Sequence, residues 1–138
     1  MKEKKIIKEK ELIEKLNKLG LKGKFDLIIG IGSQGKIPAE LIGKELGIEV
    51  KFIEINFRNE KNQIQREKPL LMKKIGFGYE NKKILLVDDF CNSGKTFEKA
   101  GKELSKAGLI KTLAVNCRNK KADYCLFEYQ ECIQFDWK

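Results

Sequence analysis

Two adjacent carboxylates at the end of an apolar run are the residues of this chain best suited to chemistry. The stretch LLVDDFCNSGKT, residues 85–96, places Asp88 and Asp89 before a loop that ends Gly-Lys-Thr. A nucleotide-binding P-loop also ends in Gly-Lys-Thr, but it requires a glycine five positions earlier, where this chain has Asp89. Because a carboxylate there would repel phosphate, a P-loop phosphotransferase is disfavoured, and the two acids need another role.

The absence of histidine limits the chemistry that the chain can perform. None of the 138 residues is histidine, which excludes Ser-His and Cys-His nucleophilic catalysis and zinc sites that need imidazole. Catalysis must therefore use carboxylates, lysines, backbone amides or a metal held by oxygen.

Length and composition predict one folded domain over residues 1–138. The chain is 41% hydrophobic and 36% charged, and no apolar run approaches the ~20 residues of a membrane span. The N-terminal stretch MKEKKIIKEKELIEKL is charged throughout and lacks the apolar core of a signal peptide, so we expect a cytoplasmic protein with no membrane partner. Four cysteines form no C-x-x-C pair, and in the cytoplasm we expect free thiols: Cys91, Cys117, Cys125 and Cys132.

The net charge of +9 favours an anionic partner. Nucleic acid, a membrane surface and a phosphorylated small molecule all satisfy that charge, and so does a lysine-rich surface facing water. The lysines are scattered, with denser groups only at 73–74 and 120–121. Charge alone does not select nucleic acid, and we do not expect it as the partner.

Hydrophobic periodicity predicts helices alternating with strands. Helices are predicted at 8–19, 37–47 and 94–108. Strands are predicted at 25–31, 49–57, 82–89 and 110–117, with two short β-like pieces near YCLF and CIQF in the tail. This alternation indicates an α/β domain with a mainly parallel twisted sheet flanked by helices.

Two glycine-containing loops lie where such a sheet binds ligands. Loops 32–36 and 89–95 each follow a predicted strand and open a helix, whose free N–H groups suit an anion. Two such loops at one edge of the sheet predict a ligand with two separate phosphate groups.

The stretch 85–96 resembles the ribose-phosphate signature of type I phosphoribosyltransferases, most closely the bacterial guanine, xanthine and hypoxanthine enzymes. The resemblance implies that Asp88 and Asp89 bind the ribose hydroxyls of phosphoribosyl pyrophosphate (PRPP). It implies a 5-phosphate loop made of Asn92, Ser93, Gly94, Lys95 and Thr96. Asn92 stands where members specific for 6-oxopurines usually have an aspartate near purine N7, so the implied catalytic residues are Asp88, Asp89 and Asn92.

The first glycine-containing loop is similar to the pyrophosphate loop of that family. The resemblance assigns the pyrophosphate to Ser33, Gln34, Gly35 and Lys36, with help from Lys73 or Lys74. The polar segment 58–69 stands where the family has a mobile loop that closes over the reacting centre.

The tail KKADYCLFEYQECIQFDWK is similar to the base-binding tail of the bacterial guanine and xanthine members, and it implies a minimal base-covering subdomain, or hood. The base would lie against Ile133, and either Arg118 or Lys121 would bind its exocyclic oxygen.

The resemblance implies transfer of the phosphoribosyl group from PRPP to a nucleobase, with a 6-oxopurine favoured, and release of pyrophosphate. Mg²⁺ is the implied cofactor, carried on substrate oxygens with Asp89 as its protein ligand. A homo-oligomer, dimer or tetramer, is also expected. The alternative is a non-catalytic relative that binds a sugar phosphate or a nucleotide as a sensor.

Overall fold

The computed structural model describes residues 4–32, 35–56, 70–71, 75–91 and 93–137. Some residues assigned above lie outside that part of the chain: Ser33, Gln34, Lys73, Lys74, Asn92 and the whole segment 58–69.

The described residues form three helices and nine strands. The helices are α1 (Glu9–Asn17), α2 (Lys36–Leu46) and α3 (Lys95–Glu103). The strands are β1 (Lys4–Ile7), β2 (Leu27–Ile31), β3 (Val50–Ile53), β4 (Ile55–Asn56), β5 (Leu70–Leu71), β6 (Lys83–Cys91), β7 (Leu109–Cys117), β8 (Tyr124–Phe127) and β9 (Cys132–Phe135).

A five-stranded parallel sheet in the order β3-β2-β6-β7-β8 forms the centre of the fold. Helices α1 and α2 cover one face through a first hydrophobic cluster, and α3 covers the other through a second cluster. Strand β2 is buried along its whole length, as its continuous apolar sequence predicts for a strand covered on both faces. The prediction of a mainly parallel α/β domain is confirmed.

The alternation of side chains shifts in the two central strands near their carboxyl ends. In β6, Leu85 and Val87 pack in the first cluster, and strict alternation would put Cys91 there too, yet Cys91 packs in the second. In β7, Val115 belongs to the first cluster and Cys117 to the second. The shift therefore falls on the segments that carry Asp88 and its neighbours.

The two ends of the described chain form a small parallel sheet of their own. Strand β1 pairs with β9, with Lys5 opposite Ile133 and Ile7 opposite Phe135. The two tail strands were predicted, but β1 was not, because only Ile7 of its four residues is buried. This pair of strands corresponds to the expected minimal hood.

Two predicted elements differ in extent. The strand predicted at 49–57 is interrupted at Glu54, and its second piece, β4, pairs antiparallel with β5. Helix α3 ends at Glu103 rather than at 108, because Leu104 adopts φ −105° and ψ 37°, outside the helical range.

The expectation of four free thiols is wrong for one pair. Cys117 and Cys125, on the neighbouring strands β7 and β8, form a disulfide. Cys91 is free and buried, and Cys132 is free and exposed. The pairing could not be predicted because the two cysteines, eight residues apart, come together only through the pairing of β7 with β8.

None of the helices in the described ranges has the length and apolar character needed to cross a membrane.

Candidate active site

The two carboxylates lie next to each other near the carboxyl end of β6. The backbone N–H of Asp89 donates a hydrogen bond of 2.8 Å to Oδ1 of Asp88. Burial raises the pKa of Asp88 well above its ordinary value, and the hydrogen bond and charge from the Asp89 side chain raise it further, against the opposing backbone bond. The site thus holds two acceptor-rich groups, one of which resists ionisation in the free protein.

The loop after the carboxylates ends at the N-terminus of α3. Gly94 caps the helix in the left-handed conformation, with φ +82°, and the hydroxyl of Ser93 accepts a hydrogen bond of 3.3 Å from the N–H of Lys95. A side chain at residue 94 would place its Cβ 3.1 Å from Cβ of Lys121. Because residue 94 is glycine, backbone N–H groups at the positive end of the α3 dipole are not covered by a side chain. Such uncovered N–H groups are what an anion-binding site requires.

Cys91 is buried in the core beside this loop, as the sequence predicts for a small apolar residue. It is 4% exposed and packs in the second cluster. Burial raises the pKa of its thiol, the charge of Asp88 adds to that effect, and backbone N–H groups of Gly94 and Lys121 oppose it.

Two glycines, Gly32 and Gly35, flank the undescribed part of the first loop between β2 and α2. Gly32 adopts φ +67°, and a Cβ on Gly35 would collide with the carbonyl oxygen of Ile31. Gly35 is the N-cap of α2, which therefore also begins at the carboxyl edge of the sheet. The side chain of Lys36 turns aside, with Nζ 5.5 Å from the ring centre of Phe52.

Arg118 follows β7 and lies above the same edge. Its backbone N–H donates to the carbonyl of Cys91 over 3.1 Å, and its guanidinium Cζ lies 5.0 Å from the ring centre of Phe90. Nη2 donates to the carbonyl of Gln130 over 2.9 Å. Nε is buried and has no hydrogen-bond partner among the described residues, so the guanidinium keeps capacity for another acceptor.

Phe90 is a site residue that the sequence analysis missed. It is half-buried, stands between Asp89 and the loop that leads into α3, and presents its ring to Arg118. An aromatic residue directly after two carboxylates at the end of a strand is the signal that could have identified it.

The two candidate base-binding cations occupy different places. Lys121 is exposed and lies against Gly94 at the start of α3, whereas Arg118 lies between Phe90 and the segment before β9. Ile133 is half-buried on β9 and packs against the first cluster.

The described residues contain no cluster of three or more histidine, cysteine, aspartate or glutamate side chains that could enclose a metal ion. Asp88 and Asp89 are hard oxygen donors, the class that Mg²⁺ prefers, but two carboxylates suit an ion that a phosphorylated substrate also holds.

Comparison with protein families and curated proteins gives consistent matches. A family model described as "Phosphoribosyl transferase domain" matches residues 2–138. A curated protein of Streptococcus pyogenes, named "Putative ribose-phosphate pyrophosphokinase 2", is 28% identical over 102 residues. That alignment covers 74% of this chain, and the chain spans only 29% of the relative's length.

Solved structures give the same fold. A purine phosphoribosyltransferase from Pyrococcus horikoshii Ot3 has a TM-score of 0.78 at 28% identity, covering 98% of this chain and 94% of its own. A Neisseria gonorrhoeae protein with bound ppGpp has a TM-score of 0.75 at 20% identity, with coverage of 100% and 90%. A Bacillus anthracis hypoxanthine-guanine phosphoribosyltransferase has a TM-score of 0.70 at 21% identity, with coverage of 95% and 86%. The last two show likeness of fold alone.

Proposed function

The chain belongs to the phosphoribosyltransferase family, and from that premise we propose that it transfers the phosphoribosyl group of PRPP to a nucleobase and releases pyrophosphate. We propose a 6-oxopurine as the favoured acceptor. The similarity to the Pyrococcus purine phosphoribosyltransferase over nearly the whole of both chains supports a purine.

One observation carries the proposal: two adjacent carboxylates near the end of β6 are followed, after one short loop, by the N-terminus of α3. Asp88 and Asp89 accept hydrogen bonds and suit the two hydroxyl donors of a ribose ring. The backbone of Ser93–Thr96, at the start of α3, suits the 5-phosphate of the same sugar. A ribose 5-phosphate carries both groups within one small molecule, so the two halves of the site select one ligand class.

The remaining assignments follow from the two loops at this edge. The helix start at Gly35–Lys36 would hold the pyrophosphate, together with Ser33, Gln34 and Lys73 or Lys74. Displacement at C1 of the ribose develops oxocarbenium character, so catalysis depends on positioning and on stabilising charge. Mg²⁺, bound to substrate oxygens and Asp89, would neutralise charge on the departing pyrophosphate.

Of the two base-binding candidates, Arg118 has the better support. Its guanidinium stacks on Phe90 and its buried Nε lacks a partner in the described chain, so it can donate to an exocyclic oxygen without losing its packing. Lys121 lies beside Gly94 and suits a role next to the phosphate. Ile133 would contact the base from β9.

A base screen tests the proposal. Purified protein, Mg²⁺ and PRPP are mixed in turn with hypoxanthine, guanine, xanthine and adenine, and pyrophosphate release is followed. We expect release with at least one 6-oxopurine. Binding of PRPP without release from any base would overturn the enzymatic assignment and favour the sensor. The single-domain boundary, the homo-oligomer and the cytoplasmic location stay predictions.

A further inference from the structure

Asn116 is the one fully buried polar side chain among the described residues. It is 1% exposed, and its amide binds both backbone groups of Tyr129. Nδ2 donates to the Tyr129 carbonyl over 3.0 Å, and Oδ1 accepts from the Tyr129 N–H over 2.8 Å. The side chain thus pairs with a residue 13 positions away as a neighbouring strand would.

Asn116 occupies a central place in the site. It lies opposite Phe90 in the pairing of β6 with β7, and Ala114, two residues earlier, lies opposite Asp88. Two residues later, Arg118 donates to the carbonyl of Gln130. Asn116 of β7 and Arg118 just after it therefore hold two successive residues of segment 128–131, which leads into β9 and Ile133.

The contacts that Asn116 and Arg118 make with segment 128–131 differ in how easily they can break during turnover. Arg118 is only half-buried, and in the proposed function its Nε binds the base, so its Nη2 bond to Gln130 can rearrange as the side chain adjusts to substrate. Asn116 is enclosed, and both of its amide groups are engaged. Losing its partner would leave buried polar groups unpaired, which is unfavourable. Its bonds to Tyr129 can therefore persist while Arg118 changes partner.

We propose that Asn116 is a positioning residue for the base site. It fixes segment 128–131 above Phe90, and through it the approach of Ile133 to the base, without touching substrate itself. Tyr129 extends this support, because its ring stacks on Phe127 at 5.4 Å and Lys5 of β1 lies 5.2 Å from its centre. The inference rests on the proposed phosphoribosyl transfer.

The first test replaces Asn116 by leucine and separates the two substrates. Asn116→Leu should raise the KM for the base by about tenfold or more, since loss of a buried bond of ordinary strength has that size. The KM for PRPP should change by less than about threefold, because β6 and α3 keep their own backbone contacts. Asp26→Ala is the matched control: Asp26 accepts from the Lys83 N–H over 2.9 Å at the opposite edge of the sheet. It should leave both KM values unchanged.

The second test uses pH to restore the bonds. A protonated carboxylic acid has one donor and one acceptor, as the amide does, so Asn116→Asp can bind both groups of Tyr129 at acidic pH. The ratio of its base KM to that of the wild type should be near one there and rise with pH as the donor is lost. Asp88, Cys91 and the substrates are common to both proteins, so any effect of pH on KM that arises from them cancels in this ratio.

The outcomes separate the two proposals. An inactive wild type overturns the proposed function and this inference with it. An active wild type with equal base KM in all Asn116 variants overturns the inference alone. If no variant folds, hydrogen exchange in the wild type decides: slow exchange of the Tyr129 N–H supports the inference, and exchange as fast as in an open loop overturns it.

Discussion

Asp88 and Asp89 are joined by a hydrogen bond of 2.8 Å from the backbone N–H of the second residue to Oδ1 of the first. The bond holds the Asp88 carboxylate against the backbone of Asp89, and burial and the Asp89 side chain there disfavour its charge and raise its pKa. Hydroxyl donors and a divalent cation would relieve that repulsion. The free protein is therefore strained electrostatically at the place where we propose that ribose binds.

The first prediction concerns the stability cost of that strain. The pKa of Asp88 is raised in the folded protein, so the folded state is favoured below the ordinary carboxyl pKa and loses stability as pH rises towards the folded value. Asp88→Asn removes the ionisable group and should stabilise the protein at pH 7–8, within the roughly 0.5–2 kcal/mol usual for one stabilising substitution. Urea denaturation at several pH values measures the gain, which should shrink near pH 4.

Glu40→Gln provides the control for that measurement. Glu40 is an exposed carboxylate on α2, so the same chemical change should alter the free energy of unfolding by no more than about 0.5 kcal/mol at every pH. A destabilised Asp88→Asn, or a gain that does not depend on pH, would contradict the burial of a strained carboxyl.

The second prediction concerns binding. The double variant Asp88→Asn, Asp89→Asn should fold but bind PRPP at least a hundredfold more weakly, because two contacts to charged acceptors contribute ~1.5–3 kcal/mol each. Calorimetric titration of PRPP in the presence of Mg²⁺ measures the change. Affinity equal to that of the wild type would remove the ribose assignment.

The fold was largely predictable because the buried strands are unambiguous. FDLIIGI and KKILLVDD are apolar runs separated by a helical pattern, and strands that are covered on both faces have such continuous apolar sequences. Strand β1 was not predicted because three of its four residues are exposed and two of them are lysines. The interruption of the predicted strand at Glu54 was not foreseen because apolar residues alternate with polar ones on both sides of it.

The site was predictable where one short stretch holds several of its parts. Asp88 and the loop around Gly94 lie within nine residues, and their order alone indicates a strand end, a turn and a helix start. The contacts of Arg118, of Asn116 with Tyr129, and of the two disulfide cysteines join separate elements. They depend on the register of β6, β7 and β8, which local sequence does not specify.

The third prediction concerns the disulfide. Cys117 and Cys125 are eight residues apart, and closing a loop of that length stabilises the folded state by roughly 2–3 kcal/mol in the chain-entropy account. Reduction, or the double change Cys117→Ser, Cys125→Ser, should lower the Tm by about 10 °C for a chain of this size. Cys132→Ser, at the exposed free thiol, is the control. An unreduced protein with four titratable thiols would refute the pairing.

The fourth prediction concerns Asn92, which lies outside the described residues and whose role rests on the sequence. If it faces purine N7, Asn92→Asp supplies a carboxylate that can interact with a proton there. Turnover of a 6-oxopurine should then rise by roughly tenfold to a thousandfold, the scale of general acid–base assistance, with a changed pH profile. Steady-state rates over a purine panel measure it. Unchanged rates and pH dependence would show that residue 92 does not contact the base.

The last prediction compares two glycines of one helix. Gly94 has φ +82°, and an added Cβ would lie 3.1 Å from Lys121, so Gly94→Ala should destabilise the fold by about 1–2 kcal/mol and weaken PRPP binding. Gly101 lies inside α3 with open space around it, so Gly101→Ala should stabilise the protein by roughly 0.5–1 kcal/mol and leave PRPP affinity unchanged.

If the same substitution lowers stability at residue 94 and raises it at residue 101, the proposed anion-binding turn is distinguished from the rest of α3. Thermal unfolding and PRPP titration of both variants make the comparison, and each variant serves as the other's control. If Gly94→Ala bound PRPP as well as the wild type does, residue 94 would not approach the phosphate. The loop assignment would then have to shift towards Ser93 and the first turn of α3.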